Sequence, residues 1–130
     1  MKNEFTVSET LNASAETIYN AWLSTQGHTL MTGSPAKVDG RVKGEFTTWD
    51  GYIWGTFLEL EASKRIVQAW RTSEFPDDAD DSKVEVLLEE KDGKTKVTLI
   101  HSNIPEDQED SYKQGWEDFY FKPMREYFGE

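Results

Sequence analysis

Cysteine is absent from the chain, which removes disulfides and every thiolate metal site. Only two histidines occur, His28 and His101, so a zinc site would need carboxylates to complete its ligand set, and no carboxylates stand at a suitable spacing. No apolar stretch approaches the roughly 20 residues of a spanning helix. The opening run Met1-Lys2-Asn3-Glu4-Phe5-Thr6-Val7 lacks the apolar core of a signal peptide. No membrane insertion and a cytoplasmic location are therefore expected. Positive charge is scarce: 14 basic residues stand against 25 acidic ones, a net charge of -11. Nucleic acid is excluded as a partner, because phosphate contacts need a basic surface. Anionic membrane surfaces are disfavoured for the same reason. A nucleophile elbow, a phosphate-cradling glycine loop and a convincing carboxylate pair are all missing. The expectation is no catalytic residue, no cofactor and no metal, which points away from an enzyme.

Aromatic residues are plentiful, at 13% with five tryptophans, so a few large side chains can build a core. A chain of 130 residues is expected to form one domain, 1–130, burying roughly two-thirds of its unfolded surface. Phe5, Val7, Glu9 and Leu11 alternate with hydroxyl residues, the period of a first strand. Ser14 is placed to cap a helix carrying Ile18, Ala21 and Trp22 at helical spacing, with Glu16 complementing the dipole. Gly27 and Gly33 are expected to break the chain around a short second helix near His28–Met31. From Gly40 to Asn103 the pattern is a run of hairpins, with Asp50-Gly51 and Asp92-Gly93 as tight-turn signals. Val84, Val86 and Leu88 share one face, as do Val97, Leu99 and His101, which predicts an antiparallel sheet with one covered face. Asp77, Asp78, Asp80 and Asp81 lie in a solvated loop and lack the spacing of a calcium loop. Residues 109–128 repeat every 3.6 residues, putting Tyr112, Trp116, Phe119, Tyr120, Pro123 and Tyr127 on one stripe. Pro123 should kink that helix. Phe121 and Phe128 fall outside the stripe, where they either cover the sheet edge or are exposed on a partner surface. The fold class is α+β: a curved antiparallel sheet of about six or seven strands around a long C-terminal helix, with one or two short helices after the first strand.

Particular runs resemble a known family. Asp50-Gly51-Tyr52-Ile53-Trp54-Gly55-Thr56-Phe57-Leu58-Glu59-Leu60 is similar to its central hairpin, and Arg65-Ile66-Val67-Gln68-Ala69-Trp70-Arg71 to the strand that follows. Gln114-Gly115-Trp116-Glu117-Asp118-Phe119-Tyr120-Phe121, with Phe128-Gly129 and the preceding Ile104-Pro105, resembles its terminal helix. The family is the C-terminal domain of activators of the heat-shock-protein-90 ATPase. The resemblance runs from Phe5 to Gly129 and implies the helix-grip fold of the START-like, birch-pollen-allergen-like superfamily, which encloses a hydrophobic cavity. It also implies a heat-shock-protein-90 homologue as a partner, with Phe121 and Phe128 as surface contacts.

Strand parity then names a candidate ligand site. Phe46, Ile53, Phe57, Gln68, Trp70, Val86, Leu99 and His101 point inward from the sheet. Trp22, Leu30 and Met31 close one end, and Tyr112, Trp116, Phe119 and Tyr120 supply the helix side. Such a set suits a small hydrophobic or aromatic molecule, oriented by Gln68, His101, Thr48 and the tyrosine hydroxyls. The competing expectation is that the same aromatics fill the interior as a packed core. His101 is either a buried, paired structural group or the base of a cofactor-independent enzyme. His28 is expected at the surface or rim. Glu9 and Glu59 have inward parity, Arg71 points outward, and Gly55 and Gly115 are expected to permit close approach of backbone or helix.

Overall fold

Ser14 begins the helical part of the molecule in the computed structural model, which describes residues 3–129. Strand β1 (Asn3–Leu11) precedes it. The Ser14 hydroxyl accepts the Thr17 N–H and starts helix α1 (Ala15–Trp22), which buries Ile18 and Trp22. Helix α2 (Thr25–Thr32) starts in the same way on Ser24, and Gly33 ends it at φ 78°. Gly27 therefore lies inside α2 instead of breaking the chain. A Cβ there would come within 2.6 Å of the Ala21 Cα, so glycine is what lets α2 lie against α1.

Six further strands follow: β2 (Lys37–Val38), β3 (Glu45–Thr48), β4 (Ile53–Glu61), β5 (Arg65–Thr72), β6 (Ser82–Lys91) and β7 (Lys94–Ile104). They form one seven-stranded sheet in the order β1-β7-β6-β5-β4-β3-β2, antiparallel at every pairing. Asp92 and Gly93, at φ 56° and 80°, close the β6–β7 hairpin between the paired Lys91 and Lys94, the left-handed pair such a turn demands. The inward alternation holds for Val84, Val86, Leu88, Val97, Leu99 and His101, all buried. It fails near the end of β7, where the register against β1 shifts between His101 and Ile104, and in β4. In β4 the register shifts between Phe57 and Glu59, so one extra residue enters the strand. Leu58 and Glu59 are both exposed; Glu59 pairs with Arg65 instead of facing inward. Gly55 does permit close approach, since a Cβ there would lie 1.9 Å from the Ala69 carbonyl oxygen.

The terminal helix has three parts. Helix α3 (Glu109–Gly115) runs into a π-helical segment (Trp116–Phe121), which continues as α4 (Lys122–Phe128). Within the π segment the Lys122 N–H reaches back to the Glu117 carbonyl, one residue further than an α-helix allows. That extra residue rotates everything beyond it and corrects the expected stripe. Phe121 turns into the core at 1% exposure and is not a surface contact, Phe128 is half-buried, and Phe119 and Tyr127 are 55% and 49% exposed. Pro123 follows directly. In an unbroken α-helix its ring would press on the Phe119 carbonyl; the wider turn relieves that contact. Among the described residues no helix is long and apolar enough to cross a membrane.

Candidate functional site

The tight turn between β3 and β4 stands over the terminal helix and leaves a space beneath it. Trp49, Asp50 and Gly51 all adopt positive φ, at 53°, 56° and 89°. The turn thereby brings Trp49 and Tyr52 against the helix. With Ile53 of β4, Trp70 of β5, and Ser111, Tyr112, Gly115, Trp116, Phe119 and Tyr120 of the helix, they line a cavity of about 450 Å³. Tyr52 and Phe119, 36% and 55% exposed, form its mouth.

Six residues expected in the site line this cavity: Ile53, Trp70, Tyr112, Trp116, Phe119 and Tyr120. The other eight, Trp22, Met31, Phe46, Phe57, Gln68, Val86, Leu99 and His101, lie in the core behind it, each at most 2% exposed. Trp22 stacks on Trp116 with ring centres 6.3 Å apart and donates its indole N–H to Gln68 Oε1 at 3.1 Å. Phe46 and Phe57 pack on each other at 5.2 Å. Leu30 closes nothing, being 51% exposed. The interior is thus packed around these eight residues, and the space the helix leaves lies under the β3–β4 turn.

The residues that parity missed are Trp49, Tyr52, Ser111 and Gly115. Trp49 and Tyr52 belong to a turn, where alternation says nothing; the available signal was a pair of aromatics flanking Asp50-Gly51. Gly115 was expected to allow close packing. Its backbone is ordinary helix, φ -61° and ψ -40°, and a Cβ there would meet only Phe119 Cδ2, at 3.8 Å. Gly115 therefore leaves room rather than permitting contact.

Two buried histidines support the walls. His28 is 2% exposed, not at the surface. Its Nδ1 donates to the Trp22 carbonyl at 3.0 Å, so Nε2 accepts the Tyr120 hydroxyl proton at 2.8 Å. Burial pushes His28 down to about 4 and raises Tyr120, so both are neutral at pH 7. His101 is paired on both sides. Its Nδ1 accepts the Trp116 indole N–H at 3.1 Å, and its Nε2 donates to Ser82 Oγ at 2.8 Å, which donates onward to the Trp70 carbonyl. Burial holds His101 at about 3. With both nitrogens engaged and no place on the cavity wall, His101 orients Trp116.

At the mouth, the Tyr52 hydroxyl donates to the Glu74 carboxylate; burial and that carboxylate push the phenol up to about 12. The Tyr112 hydroxyl donates to Gln108 Oε1 and accepts from Thr72 Oγ1 at 2.8 Å. The Thr48 hydroxyl and the Trp49 indole nitrogen are buried without a hydrogen-bond partner among the described residues. Glu9 is half-buried but bound by Arg125 at 2.7 Å, which also holds Glu117. Arg71 does point away from the core. It binds Asp81 and the carbonyls of Pro76 and Ala79, tying down the acidic loop.

The chain resembles known proteins over nearly its whole length. It is 28% identical over 126 residues to the human activator of 90 kDa heat shock protein ATPase homolog 1, covering 97% of this chain and 37% of that protein. This chain thus spans little more than a third of the curated relatives it matches. The crystal structure of a heat-shock-protein-90 activator from Plasmodium falciparum superposes with a TM-score of 0.83 at 29% identity, covering 92% of this chain and 91% of that one. CalU16 from Micromonospora echinospora shares the fold, with a TM-score of 0.82 at 21% identity over 98% of this chain and 77% of that one. The family model for activator of Hsp90 ATPase homolog 1-like proteins matches residues 12–129. With its terminal helix gripped by the curved sheet as in those structures, the chain belongs to the activator of Hsp90 ATPase homolog 1-like family.

Proposed function

We propose that this protein binds a small, ring-containing hydrophobic molecule in the cavity under the β3–β4 turn, and that residues 1–130 act as one domain built around it. The observation that carries this reading is a cavity of about 450 Å³ in which seven of the ten lining residues are aromatic. That volume lies within the usual range for small-molecule sites, which combine apolar walls with a few polar groups. Gly115 supports the same reading. A glycine in mid-helix costs about 1 kcal/mol relative to alanine, and nothing in its backbone or packing requires it. The test is a two-dimensional amide and indole NMR titration of the labelled protein against planar aromatics, sterols and fatty acids. Saturable shifts clustered at Trp49, Trp70, Gly115 and Trp116 are the expected result. A spectrum unmoved by all of them, at concentrations up to 1 mM on the scale of weak ligands, would sink the reading.

A second reading is association with a heat-shock-protein-90 homologue. It draws on the family and on the likeness to the Plasmodium activator. The exposed rings for such a contact are Phe119 and Tyr127, since Phe121 is inside. Loss of measurable binding to a purified chaperone homologue on changing both to serine, with the fold intact, is the expected outcome.

A further inference from the structure

We infer that the ligand taken by this cavity is an organic cation, an ammonium group carrying aromatic or apolar bulk, in preference to its neutral or anionic counterparts; this rests on the cavity reading above. Seven aromatic rings line the space and no charged side chain does. A cation within about 6 Å of tryptophan or tyrosine ring centres is attracted by the ring quadrupole, more strongly when water is excluded. Apolar walls alone would accept any hydrophobic molecule; what selects a cation is the electrostatic setting.

Three features set it. The polar groups supporting the wall are neutral: the His28–Tyr120 pair and the Tyr112–Gln108 pair carry no charge. None offers the counter-charge that an anion entering a dry site would need. Tyr52, at the mouth, donates its hydroxyl proton to the Glu74 carboxylate. That bond pushes electron density into the phenol ring and places a negative charge beside the entrance. The exposed residues flanking the wall are mostly acidic: Asp50 follows Trp49, Asp110 precedes Ser111 and Asp118 precedes Phe119, against Lys113 and Lys122 on the same helix. The whole chain carries a net charge of -11. Its field gathers cations and turns away carboxylates, fatty acids included.

A matched pair of probes separates charge from shape. 3-Hydroxyphenyltrimethylammonium and 3-tert-butylphenol have nearly the same outline and differ by one positive charge. Each is titrated into the full chain at about 0.15 M salt, where the Debye length is about 8 Å, and read from the indole N–H signals of Trp49, Trp70 and Trp116. The cation is expected to bind roughly three- to thirty-fold more tightly than the neutral phenol, with 3-hydroxybenzoate weaker than both. Gly115→Leu, which projects a side chain into the space, should weaken the indole shifts from all three. Equal or tighter binding of 3-tert-butylphenol would overturn the cation inference and leave the cavity reading standing. Silence of the indoles with every probe would overturn both. Cation affinity undiminished in Gly115→Leu would mean adventitious attraction to surface carboxylates and would also overturn the inference.

Discussion

Replacing Gly115 by alanine should make the protein more stable, which is unusual for a residue in the middle of a family's terminal helix. The backbone at this position is ordinary right-handed helix, at φ -61° and ψ -40°, so a side chain introduces no strain. The new methyl group would find one neighbour, Phe119 Cδ2, at 3.8 Å, an ordinary van der Waals contact. The remaining effect is the conformational freedom glycine loses on folding, about 1 kcal/mol relative to alanine in a helix interior. For a domain of this size that corresponds to a rise of roughly 4 °C in Tm. Urea unfolding followed by tryptophan fluorescence checks it, with an unchanged m-value as the sign that only stability moved. The longer Gly115→Leu should keep most of the gain while narrowing the cavity. Alanine destabilising by more than about 0.5 kcal/mol would refute the reasoning. It would mean that helix and sheet meet at Gly115, and that the cavity beneath the β3–β4 turn is closed.

Further outcomes follow from the buried polar groups and close contacts. His28 and His101 have folded-state values of about 4 and about 3, both below the unfolded value near 6.5. The unfolded chain therefore binds more protons, and stability falls as pH drops from about 6.5 towards those values, by roughly 2 kcal/mol per histidine at pH 5. Unfolding free energies at pH 7.5 and 5.0 check this, and a difference undiminished in His28→Gln and His101→Gln would count against it. Gly55→Ala would drive a Cβ to within 1.9 Å of the Ala69 carbonyl oxygen. A loss of about 3 kcal/mol is expected, the upper range for overpacking, and thermal melting reads it. Arg71→Ala should free the acidic loop by removing two carbonyl contacts and the Asp81 pair. The expected cost is about 1–2 kcal/mol, with faster amide exchange confined to residues 75–82, whereas a global change in exchange would contradict the local role.

Much of the architecture was legible from local chemistry. Ser14 before an apolar helical repeat, Asp92-Gly93 between alternating runs, and the inward parity of β6 and β7 each reflect a preference a few residues can enforce. The terminal helix was legible as a helix but not in its facing. A period of 3.6 assigned Tyr127 inward and Phe121 aside, and the π segment reversed both, while Phe119 reached the cavity but only at its mouth. Likewise the bulge in β4 moved Glu59 off the inner face, because one inserted residue inverts the parity beyond it.

The pattern of apolar residues determined that a curved sheet would bury its inner face against one long helix, since hydrophobic periodicity acts locally and tolerates small errors. Tertiary structure alone decided which of those inward residues would pack against one another and which would border open space. Phe57, Gln68 and His101 have the same inward parity as Trp70, yet they, like Trp22 of α1, meet partners from distant elements and fill the core. The cavity instead depends on the β3–β4 turn arching over Gly115, on two aromatics in a loop without periodicity, and on the missing side chain of a glycine. A void is set by the distances between elements remote in the chain, and no run of residues encodes it.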